Sequence, residues 1–323
     1  MKKTTVKTLA VALLASLGVA CSSGSGDGSN QPKQDMQTPE QIKKAALTKQ
    51  AQDAGLSEAN TQKFVEKFAT EEDKSKISST LENWVINEAK KRDVELENGT
   101  GYSDNLSVTD SLEKPANPRF ETKNIVGKRE YDLKYVNISA DIEGTRTQQK
   151  NGGQLDSGNV TKYDIAVNGL ATKSDAIKTE GTATYTGKAF NALSDQTDKL
   201  DTSRSLADLT YTIDFSTKKG SGEIKGHTDQ NIYFFTNAFG GVSGSKIILK
   251  ESDLKEINLN GQAVIGVEGI AEYSGESDLF SASAKGSYNL GLYGPNAEEI
   301  GGSVELNDIT NGNNKLGFAG KAQ

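Results

Sequence analysis

The chain has 323 residues, a formal net charge of −7, 34% hydrophobic residues, 33 glycines and one cysteine. The length suggests two modules or more, and the low apolar fraction implies thin, separate cores with room for unstructured stretches. Residues 1–20 carry three lysines and no acid, so the remainder stands at −10. That balance disfavours nucleic acid, whose binding relies on Lys and Arg neutralising phosphates, and adhesion to anionic lipid heads. Cys21 has no second cysteine to pair with inside the chain, so packing alone must hold the fold.

Residues 1–20 read as a secretory signal peptide. Lys2, Lys3 and Lys7 precede an apolar run from Leu9 to Leu17, then Gly18 and Ala20. The run is too short to span a membrane. Gly18-Val19-Ala20 would suit a general signal peptidase. Cys21 follows at once, however, with Ser22-Ser23-Gly24-Ser25-Gly26 behind it. That pattern resembles a bacterial lipobox, with Leu17 one place further from the cysteine than usual. Lipidation of Cys21 is the expectation, because a lone exposed thiol is a liability. Acyl chains anchor at about 0.8 kcal/mol per buried CH₂, so two or more make attachment stable. Residues 21–37 then read as a flexible tether, rich in Ser, Gly, Asn and Gln, with an rms reach of about 20–25 Å.

Residues 38–92 read as short helices. Thr38-Pro39-Glu40-Gln41 is a capping sequence with proline at the first helical position. Gly55 stops that helix, and Ser57 can cap a second carrying Phe64, Val65 and Phe68. In the third, Ile77, Leu81, Trp84, Val85 and Ala89 make one apolar face. Either these helices pack together as a small unit or Trp84 centres an exposed partner face. Three short helices bury little alone, so the unit should dock on the rest or need a partner. Residues 93–119, polar and holding Pro115 and Pro118, read as a linker. Residues 120–175 read as a small antiparallel sheet. Tyr131, Leu133 and Tyr135 alternate, as do Tyr163, Ile165 and Val167, with Asn151-Gly152-Gly153 as a turn between them.

Residues 176–323 are a run of strands with period two. Ala183, Tyr185, Gly187 and Ala189 share a face, as do Leu209, Tyr211, Ile213 and Phe215. Residues 216–222 read as a turn into Glu223-Ile224-Lys225. A long excursion, Asn231 to Ser245, holds Tyr233, Phe234, Phe235 and Phe239 before Lys246-Ile247-Ile248-Leu249-Lys250. Ala263, Ile265, Val267, Gly269 and Ala271 alternate next. Then come the strand Ala282 to Leu292, a turn through Tyr293-Gly294-Pro295, a return from Ile300 to Leu306, and a last strand from Lys315 to Lys321. About eight strands that close on themselves leave no unpaired edge and an interior just filled by side chains. The fold class expected is mainly β: an eight-stranded antiparallel up-and-down barrel, preceded by a small sheet and short helices. Alternation alone does not separate this barrel from a two-sheet sandwich.

Several stretches carry a resemblance. Gly181-Thr182-Ala183-Thr184-Tyr185-Thr186-Gly187-Lys188-Ala189-Phe190, Leu209-Thr210-Tyr211-Thr212-Ile213-Asp214-Phe215 and Lys285-Gly286-Ser287-Tyr288-Asn289-Leu290-Gly291-Leu292-Tyr293-Gly294 resemble the C-terminal barrel of factor H binding proteins. Tyr293-Gly294-Pro295-Asn296-Ala297-Glu298-Glu299-Ile300-Gly301-Gly302 is similar to the barrel signature of transferrin-binding protein B and related surface lipoproteins. The resemblance covers about residues 179–323. It implies a lipoprotein on the outer face of the outer membrane, exported with a surface lipoprotein assembly modulator. It also implies capture of a host plasma protein, a complement regulator such as factor H. Of the two barrel glutamates that such a binder uses, one corresponds to Glu305, and the other falls at Ala284.

Little else in the sequence carries chemistry. His227, in Lys225-Gly226-His227-Thr228-Asp229, is the only histidine, so no Ser/His/Asp or Cys/His set assembles convincingly. Metal sites need several ligands at tight spacing, and no cofactor is expected. Glu71-Glu72-Asp73 reads as a helix start and Glu298-Glu299 as a solvated turn. Binding rather than catalysis is the reading. The preferred contact residues are Glu305 and the loop aromatics Tyr233, Phe234, Phe235 and Phe239. The alternative is haem or small-ligand binding at His227 beside those aromatics, since some relatives of this barrel class bind haem.

Overall fold

A computed structural model of the chain describes residues 37–96, 99–112, 117–150, 155–190, 207–226, 246–276, 281–307 and 315–323. The signal peptide, Cys21, most of the tether, the Asn151-Gly152-Gly153 turn, His227 and the aromatic excursion 231–245 lie outside the described residues.

Three helices come first: α1 (Pro39–Asp53), α2 (Glu58–Phe68) and α3 (Lys74–Ala89). Each begins on the cap its sequence offers. Thr38 and Gln41 exchange hydrogen bonds as a capping box, Ser57 caps α2, and the Asp73 carboxylate accepts from the amides of Ser75 and Lys76. Their apolar faces meet in one small core. There Trp84, 2% exposed, packs edge-on against Phe64 at 5.6 Å with Phe68 alongside. Trp84 is therefore interior, and the helices form a packing unit.

A four-stranded antiparallel sheet follows in the order β1 (Gly101–Asp110), β2 (Phe120–Asp132), β3 (Val136–Gln149) and β4 (Leu155–Gly169). Strand β1 lies inside the stretch read as a linker. Its pattern was concealed because Tyr102, Leu106 and Val108 alternate with serine and asparagine on an edge strand whose remaining positions are polar. Residues 133–135, read as a continuing strand, are instead the turn between β2 and β3.

Eight strands then close into a barrel: β5 (Thr182–Phe190), β6 (Ala207–Asp214), β7 (Lys219–Lys225), β8 (Lys246–Leu259), β9 (Gln262–Glu276), β10 (Ser281–Tyr293), β11 (Glu299–Leu306) and β12 (Lys315–Ala322). Each pairs antiparallel with the next, and β12 closes on β5. Closure settles barrel against sandwich. Residues 219–222, read as turn, already belong to β7. The interior is filled by alternate side chains, among them Tyr185, Tyr211, Leu249, Val267, Leu290 and Phe318. Three of its buried hydroxyls make hydrogen bonds across the cylinder. Tyr211 and Tyr288 share a 3.0 Å hydrogen bond, Tyr288 donates to the Lys250 carbonyl, and Tyr185 donates to that of Ala297.

The sheet lies against the outside of the barrel. Val136, Ile138, Ala140 and Val167 on its near face are buried with Tyr293, Phe190 and Ala319 of the barrel wall. A register shift in β8 between Leu249 and Leu254 reverses that strand's facing. Before it, Ile247 and Leu249 point into the barrel; after it, Ile257 and Leu259 turn out into the seam. Two wall glycines let the layers close. A Cβ at Gly301 would stand 2.7 Å from Val136 Cγ2, and one at Gly317 would stand 2.6 Å from Ile138 Cγ2. Both are closer than carbon atoms pack.

Gly301→Val should therefore force the seam open and lower unfolding stability by about 1–3 kcal/mol, read as a lowered urea midpoint with the circular dichroism of the barrel retained. A second expectation concerns alkali. Burial pushes the hydroxyls of Tyr185, Tyr211, Tyr288 and Tyr293 up, at Tyr211 with Tyr288 adding to the effect. Their contribution is complete below the unfolded value of about 10 and is lost as pH rises through the folded values. These four tyrosines should ionise only together with unfolding, and a native ultraviolet titration lacking a late, cooperative step would contradict this.

Candidate functional site

The outer wall of the barrel offers one open surface with mixed chemistry. Strand register sets Ile270 of β9 opposite Ser287 of β10, Ser287 opposite Glu305 of β11, and Glu305 opposite Lys315 of β12. This is one row of neighbours across four strands. Ile270 is 57% exposed, and Ser287 and Glu305 are exposed as well. Beside the row runs a ladder of charge: Lys250 pairs with Glu272 at 2.7 Å, and Lys285 reaches the other oxygen of Glu272 at 3.3 Å. The two lysines hold the Glu272 carboxyl below its ordinary value. An exposed apolar side chain ringed by charged and polar groups is the pattern of a protein contact surface. It is also the inverse of a lipid-facing barrel wall, where apolar residues point outward. Among the described residues, no helix is long and apolar enough to cross a membrane.

The expected site residues fall out unevenly. Glu305 is on this row. Ala284 is 6% exposed and packs in the barrel interior. A side chain there faces away from Glu305, so the two positions do not share a surface. Tyr233, Phe234, Phe235, Phe239 and His227 lie outside the described residues, as does Cys21. Ile270 was missed, although its signal was present: it is out of phase with Ala263, Ile265, Val267, Gly269 and Ala271. No group of three or more His, Cys, Asp and Glu among the described residues is placed to hold a metal ion. An open cleft of about 590 Å³ lies at the seam, floored by Ala171, Val264 and Ile265 and rimmed by Lys173, Asp175 and Glu256.

Of the acidic pair read as a solvated turn, Glu298 bonds to Asn296 within the turn, whereas Glu299 has a different role. Glu299 is 6% exposed. Its carboxylate accepts from three successive amides of the β2–β3 turn: Lys134 at 3.0 Å, Tyr135 at 2.7 Å and Val136 at 3.1 Å. Burial pushes this carboxyl up, and the three amides draw it part of the way back. The carbonyl of Leu133 in the same turn accepts from the Lys90 ammonium at 2.8 Å. Lys90 in turn pairs with Asp132 at 2.6 Å, and Arg92 joins them. Burial pushes Lys90 down and Asp132 up, and their pairing only partly offsets it. One turn is thus gripped by its amides from the barrel and by a carbonyl from the helices.

Residues 175–304 match the family model described as factor H binding protein, C-terminal. That stretch takes in β5 to β10 and most of β11. The match ends at Val304, one residue short of Glu305. Solved structures similar to the chain include one described only as a surface lipoprotein, at 19% identity and a TM-score of 0.34, covering 59% of this chain and 77% of that one. Transferrin binding protein B from serogroup B Neisseria meningitidis matches at 19% identity and a TM-score of 0.32, covering 61% of this chain and 36% of that one. A transferrin binding protein B mutant from Actinobacillus pleuropneumoniae H49 matches at 18% identity and a TM-score of 0.33, covering 59% and 77%. This chain therefore spans about a third of the Neisseria chain's length and about three quarters of the other two. In the barrel, then, the Ile270 row occupies the outward face and the tyrosine network the interior.

Removing the Glu299 carboxylate leaves three amides without an acceptor, that of Val136 buried and those of Lys134 and Tyr135 part-buried, and a buried unpaired donor costs about 1–3 kcal/mol. Glu299→Ala should lower stability by roughly 3 kcal/mol or more. Glu299→Gln should fall between, because its amide NH₂ would face a donor. Urea denaturation of both variants checks the order, and a cost below about 1 kcal/mol for Glu299→Ala would show that the turn is held by other means.

Proposed function

We propose that this chain is a lipoprotein displayed on the outer face of the outer membrane, where it binds a host soluble plasma protein. The observation that carries this is the family match of the barrel to the factor H binding protein C-terminal domain. The open Ile270–Ser287–Glu305–Lys315 row supports it. Within that reading the ligand is a complement regulator of the factor H kind, and the consequence is evasion of complement, a virulence trait. Cys21 carries the lipid, residues 21–37 form the tether, and a surface lipoprotein assembly modulator exports the chain. The domain scheme follows the same logic: helices over 38–92, a sheet to about residue 175 and the barrel to 323 are held out at the end of a leash. Binding rather than catalysis is inferred, because the barrel interior is filled by side chains.

Surface plasmon resonance with the chain from Ser22 onward tests the ligand, with factor H in one arm and transferrin in the other. Factor H should bind. Ile270→Asp should weaken it at least tenfold, which is about 1.4 kcal/mol, and Glu305→Ala should weaken it by less, as rim charges do. Both variants should keep the parent melting temperature. Binding of transferrin alone would reassign the ligand, and binding of neither at micromolar concentration would overturn the reading. Antibody staining of intact cells, lost in Cys21→Ala, tests display.

A further inference from the structure

The three units are not joined in the same way. The sheet and barrel share one apolar cluster, which runs from Val136 and Ile138 to Tyr293 and Ala319. The helices have a cluster of their own, from Leu47 to Val94, with no residue of any strand in it. What connects the helices to the sheet is polar. Lys90 and Arg92 reach Asp132, Lys90 also reaches the Leu133 carbonyl, and Glu82 meets Lys134 at 3.5 Å.

The face of the sheet turned away from the barrel agrees with this. Asn137, Ser139 and Asn168 are out of phase with Ile138 and Val167, yet they are 2%, 5% and 8% exposed. Asp132 stands opposite Asn137 in the register, on that same face. On α3, Asn83, Ile86, Asn87 and Lys90 recur at helical spacing. Ile86 is buried outside the helical cluster, and Asn87 Oδ1 has no hydrogen-bond partner among the described residues. Separating such an interface returns charges and amides to water, which offsets much of the loss. Separating the apolar seam has no such compensation. Burial also disfavours the charged forms of both Lys90 and Asp132.

We propose that the helical unit, residues 38–96, is a clasp that lifts from the sheet as a folded body, uncovering Asn137, Ser139 and Asn168 while the sheet stays on the barrel. The closed state is fastened at one end by Lys90 and Arg92 on Asp132. The open state presents a row of amide and hydroxyl groups that the closed state hides. Residues 134–136 remain in place on lifting, because Glu299 still holds their amides from the barrel side.

Thiol accessibility in the full chain carrying Cys21→Ser tests this, with Ser139→Cys reporting the clasp side and Ala140→Cys reporting the seam. Trp84 is the only tryptophan and reports the helical core. With Lys90→Met added, Ser139→Cys should react with a small disulfide reagent at least tenfold faster, Ala140→Cys should stay protected, and Trp84 emission should not shift. Asp132→Asn is the second variant and decides by the same readouts if Lys90→Met does not fold. Equal acceleration at Ala140→Cys would show that the whole sheet opens, and a red shift of Trp84 in Asp132→Asn that the helices melt rather than lift. Either result, or no acceleration in a folded variant, overturns the proposal.

Discussion

Gly301 and Gly317 have no Cβ, and the contact between sheet and barrel depends on that. A barrel wall normally turns side chains outward, which keeps a second layer at side-chain distance. Here Val136 and Ile138 come down onto bare backbone, within reach of a Cβ that is not there. The result is an apolar seam on the outside of a cylinder whose inside is a separate apolar core. Burying each large side chain of such a seam contributes about 1.5–3 kcal/mol. The bulge in β8 serves the same seam from the other direction, since it turns Ile257 and Leu259 outward where an unbroken strand would have turned them in.

Apolar contact is non-directional, so it does not by itself fix how the sheet is rotated on the barrel. Glu299 does. Three consecutive amides can converge on one carboxylate only in one orientation of the turn, and the turn's Leu133 carbonyl is taken by Lys90 from the helices. A carboxylate in this position is costly to bury, and its raised proton affinity reflects that. The cost is offset by directional bonds that hydrocarbon would not supply. The barrel is thus bound to the sheet by both kinds of force, whereas the helices are bound by one.

The barrel was legible because period two is a local signal. Leu209, Tyr211 and Ile213 face inward whatever surrounds them, and eight such runs in sequence leave few topologies. Strand β1 was not legible. An edge strand half exposed needs only Tyr102, Leu106 and Val108 to be apolar, and serines and asparagine between them look like a linker. Residues 133–135 continued the alternation of β2, and only the tertiary hold on their amides shows why the chain turns there. The role of Glu299 had no local signature, because its partners are about 165 residues away and two adjacent acids usually mean solvent. Resemblance pointed to Glu305 and gave Ala284 as the position where the second glutamate is missing. Register then separated them, since residues of opposite phase on paired strands do not share a face. Ile270 shows the converse: one apolar residue out of phase in a strand is itself a signal of an outward contact.

The seam also decides which part of the barrel is left to meet a partner. It consumes the outward positions of β12 near Gly317 and Ala319, of β11 near Gly301, and of the β8–β9 hairpin near Ile257 and Val264. The opposite ends of β9, β10 and β11 are therefore the stretch of this wall that stays open, and there Ile270, Ser287 and Glu305 line up. Their exposure follows from where the sheet sits. A change that slid the sheet along the barrel would bury Glu305 or uncover Ile257, altering the open row without touching it. The position of Glu299, one strand-length from Glu305 on the same β11, makes that strand the rigid link between the hold on the sheet and the open row.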